Sequence, residues 1–203
     1  TLLRDWLAWA TFGNPIFSVT MDTQGPKPVP NSCLGCHGGR MDGATGRITG
    51  ASFLPVDPDF LTFGAGGRQA MEERIRRMNQ VILESGPAPA VAAYIQGLYG
   101  GMVAQAGATA RPDYVPPGWL EMAHVYRQVV KPYCITCHLA QPAPNTFDTY
   151  AGFMAQRTLI YAAVCGARTM PHAEVPYRAM WTQGKGPFPP DLLAQTLGYP
   201  RCG

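Results

Sequence analysis

Charge is scarce in this chain: Asp, Glu, Lys and Arg make up 14% of its 203 residues, against about 25% in an average soluble domain. The few charges nearly balance, 16 basic against 13 acidic. They form no lysine- or arginine-rich block, which excludes the electrostatic footprint of nucleic-acid binding. No run of about 18 apolar residues exists, so a membrane span is not expected. The stretch Thr1 to Val19 is interrupted by Arg4, Asp5, Asn14 and Pro15. Alternating strand patterns are few, and there is no internal repeat beyond the short motif described below. With 46% hydrophobic residues the chain can still build a core, which excludes general disorder. Its 23 glycines and 20 prolines point to a loop-rich fold. The first residue is Thr rather than Met, as in a processed mature protein.

Histidine is rarer still, with four in the chain, and there are six cysteines. Four Cys and two His fall into one pattern used twice: Cys33-Leu34-Gly35-Cys36-His37 and Cys134-Ile135-Thr136-Cys137-His138. C-x-x-C-H is the attachment signature of c-type haem. Two thiols add to the two vinyl groups of one porphyrin edge, and the following His falls beneath the ring as proximal iron ligand. A Cys₄ zinc centre has no use for a His directly after each second Cys. A thioredoxin-like pair needs a βαβ context that is missing here. The expectation is two covalently bound haem c groups, held by Cys33, Cys36, Cys134 and Cys137, with His37 and His138 on iron. Covalent haem is matured in oxidising compartments, where the spare pair Cys165 and Cys202 forms a disulfide; Cys165 as a thiolate ligand is the weaker alternative. Four haem propionates would also offset the formal net charge of +3.

The motifs lie 101 residues apart, suggesting one haem-bearing half each, 1–105 and 106–203, with 100–117 as the linker. Helical patterns cover 68–84, 88–99, 117–131, 148–164 and 191–197. The first carries Met71, Ile75, Met78 and Ile82 on one face, with Glu72–Arg76 and Glu73–Arg77 as pairs. The third is expected to stop before Pro132, and Asp148 to cap the fourth. Residues 47–54 are the place for a brief strand. The expected fold is mostly α with long irregular loops and little β.

Each iron needs a partner opposite its proximal His unless the site is open for chemistry. Removing His37 and His138 leaves His124 and His172, a count that matches two bis-His haems. Met170, in Met170-Pro171-His172, competes with His172 for the second iron; we favour His172. His124 lies opposite the apolar face of its helix (Trp119, Met122, Tyr126, Val129, Val130), among Leu120, Arg127, Gln128 and Lys131. It therefore faces away from the second haem, toward the first haem of this chain or of a neighbour. Met41, Met71, Met78 and Met102 are the competing ligands there.

With these ligands the chain resembles a dihaem c-type cytochrome, exported across the membrane for haem attachment. Residues 126–138 (YRQVVKPYCITCH) and 170–181 (MPHAEVPYRAMW) are similar to dihaem proteins of environmental bacteria. The resemblance implies two cytochrome-c-like halves, low-potential bis-His haems, electron transfer to redox partner proteins rather than enzymatic turnover, and a periplasmic or extracellular place. Some extracellular multihaem members polymerise into conductive filaments. Here the outward His124, the low charge and the apolar arm Trp6, Leu7, Trp9, Ala10 and Phe12 point to a homo-oligomer or polymer in which His124 binds a neighbour's haem. Alternatives are a soluble His/Met carrier using Met170, a dihaem peroxidase using one of Glu84, Glu121 and Glu174, and a sulfur-compound oxidoreductase with Cys165 on iron.

Overall fold

The computed structural model describes residues 17–20, 23, 25–168, 174–182 and 187–202, with Tyr177 as backbone only. The apolar arm, Met170 and His172 lie outside the described residues. Helix accounts for 49% of the structure and strand for 5%, joined by long loops, so the chain is mostly α. Among the described residues no helix is long and apolar enough to cross a membrane.

The described chain opens with a two-residue antiparallel pair, β1 (Ser18–Val19) on β2 (Lys27–Pro28). Helix α1 (Asn31–His37) follows and carries the first motif. A hairpin of β3 (Arg40–Met41) and β4 (Ile48–Thr49) then reverses the chain. The expected brief pairing within 47–54 is thus β4. The hairpin turns on Asp42, whose carboxylate accepts from the N–H groups of Ala44 and Thr45.

Helix α2 (Glu72–Glu84) begins later than its periodicity suggests. Arg68 is engaged in tertiary bonds instead, to Asp59, Glu72 and the Ala110 carbonyl. Glu73 pairs with Arg77 as expected, but Arg76 also bonds Glu73 rather than Glu72. The buried face is Ile75, Arg76, Asn79 and Ile82, leaving Met71 and Met78 exposed. Two polar residues sit on that face because each has backbone to satisfy: Asn79 bonds the N–H and C=O of Val56, and Arg76 the Val103 carbonyl. Helix α3 (Pro89–Leu98) completes a helix pair with α2. Residues 100–117 hold no long helix, but they are no slack linker: Val103, Ala110, Tyr114 and Val115 are buried in the core.

The segment before the second motif changes its winding repeatedly. A 3₁₀ stretch (Pro117–Met122) gives way to α4 (Ala123–Val125), a π turn (Tyr126–Val130), α5 (Lys131–Tyr133) and α6 (Ile135–His138). The helix does not stop before Pro132, which lies within α5. Pro132 has no N–H to donate; the wider turn just before it absorbs the mismatch, the Lys131 N–H reaching the Tyr126 carbonyl. The extra residue also changes the phase. Trp119, Tyr126, Val129 and Val130 are buried and His124, Arg127 and Gln128 exposed, as periodicity indicates, yet Lys131 turns inward.

Helices α7 (Tyr150–Ala155) and α8 (Arg157–Tyr161) break the expected 148–164 helix at Gln156, and the cap is Thr149, not Asp148, its hydroxyl accepting from the Gly152 N–H. Helix α9 (Glu174–Trp181) packs on α5, and α10 (Pro189–Thr196) closes the chain. One hydrophobic cluster runs from Ile82 to Leu197. At its centre Trp119 meets Tyr126, Tyr150 and Phe153, all with ring centroids between 5.3 and 5.5 Å. Cys165 and Cys202 are disulfide-bonded across 37 residues, which fits an oxidising, non-cytoplasmic compartment.

Candidate functional site

A helix places residues i, i+3 and i+4 on one face. On α1 that spacing gathers Cys33, Cys36 and His37; on α6, with Cys134 at its N-cap, it gathers Cys134, Cys137 and His138. In each motif the following chain then returns to grip the histidine. His37 is bonded twice by Ser52: its carbonyl accepts from the Ser52 N–H at 2.9 Å, and its Nδ1 donates to the Ser52 carbonyl at 2.8 Å. The hairpin return needs Gly39, where a Cβ would stand 2.5 Å from the Ala51 nitrogen. At the second motif the His138 carbonyl accepts from the Phe147 N–H at 3.0 Å, and Nδ1 donates to the Asn145 carbonyl at 2.9 Å. The Phe147 ring stacks on the imidazole, centroids 4.0 Å apart and planes 3° from parallel.

A carbonyl only accepts, so both imidazoles carry a proton on Nδ1, and in the neutral ring Nε2 is the acceptor nitrogen. That is the tautomer and the orienting bond of a metal-ligating histidine. Burial also lowers the His138 pKa, favouring the neutral ring that binds metal.

The two motifs touch. The two thiols are hydrogen-bonded, Cys36 Sγ donating to Cys137 Sγ at 2.9 Å; that contact, with burial, holds the Cys137 thiol above its ordinary value. Cys134 is enclosed near the Val129 carbonyl, and burial pushes its thiol up to about 12. Beside Cys33 and His37, by contrast, opens a cavity of about 210 Å³, walled by Leu34, Ile48, Phe53 and the turn Ser85–Pro87.

No protein-family model, curated protein or solved structure matches the chain. What the site can hold therefore rests on its own chemistry. Zinc fits poorly: among the described residues no three Cys, His, Asp or Glu converge on a point that would hold a metal ion. A porphyrin fits better. It asks each motif for two thiols and one Nε2 on a single helical face, not for four converging sulfurs. The donor chemistry is met at both motifs, and a cavity that one edge of the ring could enter opens at the first; at the second, the chain's own core closes over Cys134.

The remaining ligand candidates are scattered. His124 is exposed on α4. Met71, Met78 and Met102 are exposed and Met41 half-buried; none of the four lines the cavity beside His37. The acids do not assemble into a catalytic pocket: Glu84 and Glu121 are exposed, while Glu174 is buried and accepts from the Thr23 N–H at 2.7 Å. Cys165 is committed to its disulfide.

A buried charge network was not foreseen from the sequence. Lys131 pairs with Asp59 and, at 3.3 Å, with Asp57, whose carboxylate also accepts from the Tyr94 hydroxyl at 2.5 Å. It bolts the loop after the first motif to the helix that feeds the second. Burial alone would raise the Asp59 pKa, but Lys131, the Asp113 N–H and Arg68 more than offset it and hold the carboxyl below its usual range. The available signal was Lys131 directly before Pro132, where a change of winding moves a residue off its expected face.

Proposed function

We propose that this chain is a dihaem c-type cytochrome that carries electrons and performs no substrate chemistry of its own. The observation that carries the reading is that both C-x-x-C-H histidines are held through Nδ1 by a backbone carbonyl of the chain that follows, which makes Nε2 the nitrogen available for iron ligation. Bound through thioethers, each haem would supply a one-electron iron couple. The chain's part is to fix the proximal imidazoles, to bring the two attachment helices into contact and to exclude water at the buried second motif. Bis-His ligation, with His172 as the sixth ligand of the second haem, would hold the potentials below those of His/Met haems. The Cys165–Cys202 bond argues against a thiolate-ligated iron, and the dispersed acids argue against a peroxidase.

For the first haem we assign the sixth ligand to His124 of a neighbouring copy, so that chains assemble into an extracellular polymer. In support, among the described residues the cavity beside His37 is lined by neither a second histidine nor a methionine, and His124 is exposed. Intact mass of native material should show two haem adducts, and the ferric spectrum two low-spin haems indifferent to cyanide and carbon monoxide. Electron micrographs should show filaments that His124→Ala abolishes. Discrete particles with a Met-to-iron charge-transfer band would replace the polymer with a soluble carrier using Met170. Fewer than two adducts would end the haem reading altogether.

A further inference from the structure

Gln141 lies three residues beyond His138 and reaches across to the other motif. Its amide nitrogen donates to the Leu34 carbonyl at 2.9 Å and to the Gly35 carbonyl at 2.7 Å. Two carbonyl partners on one end of an amide require that end to be NH₂, so chemistry settles the orientation of the side chain. Leu34 and Gly35 are the two residues between Cys33 and Cys36. The side chain of one half thus holds the segment that spaces the thiols of the other.

The same contact is too close for any side chain at Gly38. With φ at +66°, a Cβ there would stand 2.1 Å from the Ala140 carbonyl oxygen. The thiols of Cys36 and Cys137 meet at the same place; thioether formation would consume their protons and part the sulfurs, so the other two contacts are the ones that survive haem attachment. Residues 34–38 and 137–141 meet through a two-pronged hydrogen bond and a bare backbone approach. None of these contacts is required for attaching a haem to either motif singly. All of them fix one motif relative to the other.

We propose that Gln141 is a positioning residue. It sets the mutual geometry of the two haems and makes the porphyrin edges carried by Cys36 and Cys137 the electron-transfer junction within the chain. This rests on the haem reading above, and the test separates the two. The holoprotein and its Gln141→Ala, Gln141→Glu and Gln141→Lys variants are compared by intact mass, absorption, circular dichroism in the Soret band and redox titration. Coupled haems give a two-signed Soret couplet and midpoint potentials split by their interaction.

Gln141→Ala, which removes both donors, and Gln141→Glu, which sets a carboxylate against two carbonyls, should lose most of the couplet and narrow the split. Both should keep two haems with unchanged low-spin absorption. Gln141→Lys, which restores a donor of adequate reach, should recover the couplet. Should the Ala variant fail to fold, the Glu variant, of nearly the same size, gives the same readout. Two haems with an undiminished couplet in the Ala or Glu variant would overturn the clamp and leave the haem reading standing. A wild type without two adducts would overturn both.

Discussion

His37 and His138 hold the same place in the same five-residue pattern, yet the chain around them is built differently. The return to His37 takes a hairpin and 15 residues, and beside it lies an open cavity. The return to His138 takes 7 residues, and the imidazole stacks on a phenylalanine belonging to the main aromatic cluster. Backbone locks the two rings in one tautomer, so the ligand chemistry is alike. What differs is enclosure. The buried members of the cluster begin at Ile82, well after the first motif, and include Cys134, Ile135 and Leu139 around the second. One motif is thus part of the core, and the other is hung on its edge by Gln141 and the Asp57–Lys131 network. On the haem reading proposed above, the buried motif would anchor its group and the open one would meet a partner.

The largest effect expected of that difference is at Trp119, which is fully buried and donates its indole N–H to the Phe147 carbonyl at 2.9 Å. Trp119→Ala should cost about 5 kcal/mol, the upper end for removing a large aromatic, because a hydrogen bond goes with the cavity. Chemical denaturation of the holoprotein measures it. The low-spin signature of the second haem should disappear at lower denaturant than that of the first. Loss of both together at an unchanged midpoint would mean that the two sites are not differently enclosed.

Next in size is the bolt between the sites. Lys131→Met leaves Asp57 buried without its cation, at a cost of about 3 kcal/mol. The pH dependence follows from Asp59. A carboxyl whose pKa is depressed in the folded state contributes stability that is present above its unfolded value, about 3.9, and is lost as the pH falls through its folded value. The variant lacks the cation that depresses it. The gap in stability between wild type and Lys131→Met should therefore be widest at neutral pH and narrow below about pH 4. Equal gaps at pH 7 and pH 3 would show that Lys131 acts through packing alone.

How much of this was legible beforehand follows the range of each interaction. The paired C-x-x-C-H motifs, the mostly helical composition and the Cys165–Cys202 pairing by elimination are local or countable, and they could be read directly. His124 was placed on the outward face by periodicity, and it is exposed. Periodicity failed where tertiary polar bonds took over. Arg76 and Asn79 are buried on α2 because they satisfy backbone carbonyls far along the chain, which moves Met71 and Met78 outward. Lys131 turns inward after a π turn that no pattern of hydrophobic residues reports. The short helices α1 and α6 carry the motifs themselves but offer too few turns for a period to show. Above all, nothing in the linear order announces that Gln141 meets Leu34, or that two pentapeptides 101 residues apart share one sulfur contact.

The smallest expected effect is at the open site. Phe53 walls the cavity beside His37 and is 44% exposed, so Phe53→Ala gives up about half of what a fully buried ring contributes and should cost about 1 kcal/mol. Its consequence should be kinetic. Removing the ring widens the mouth through which a small reductant approaches the first haem, while the second remains behind the core. With the two haems joined by the junction proposed above, rapid mixing with such a reductant should reduce both through the open site, and Phe53→Ala should quicken the reduction of both. Acceleration confined to one haem would mean that the haems meet the reductant independently and that the open site is not the entrance for the pair.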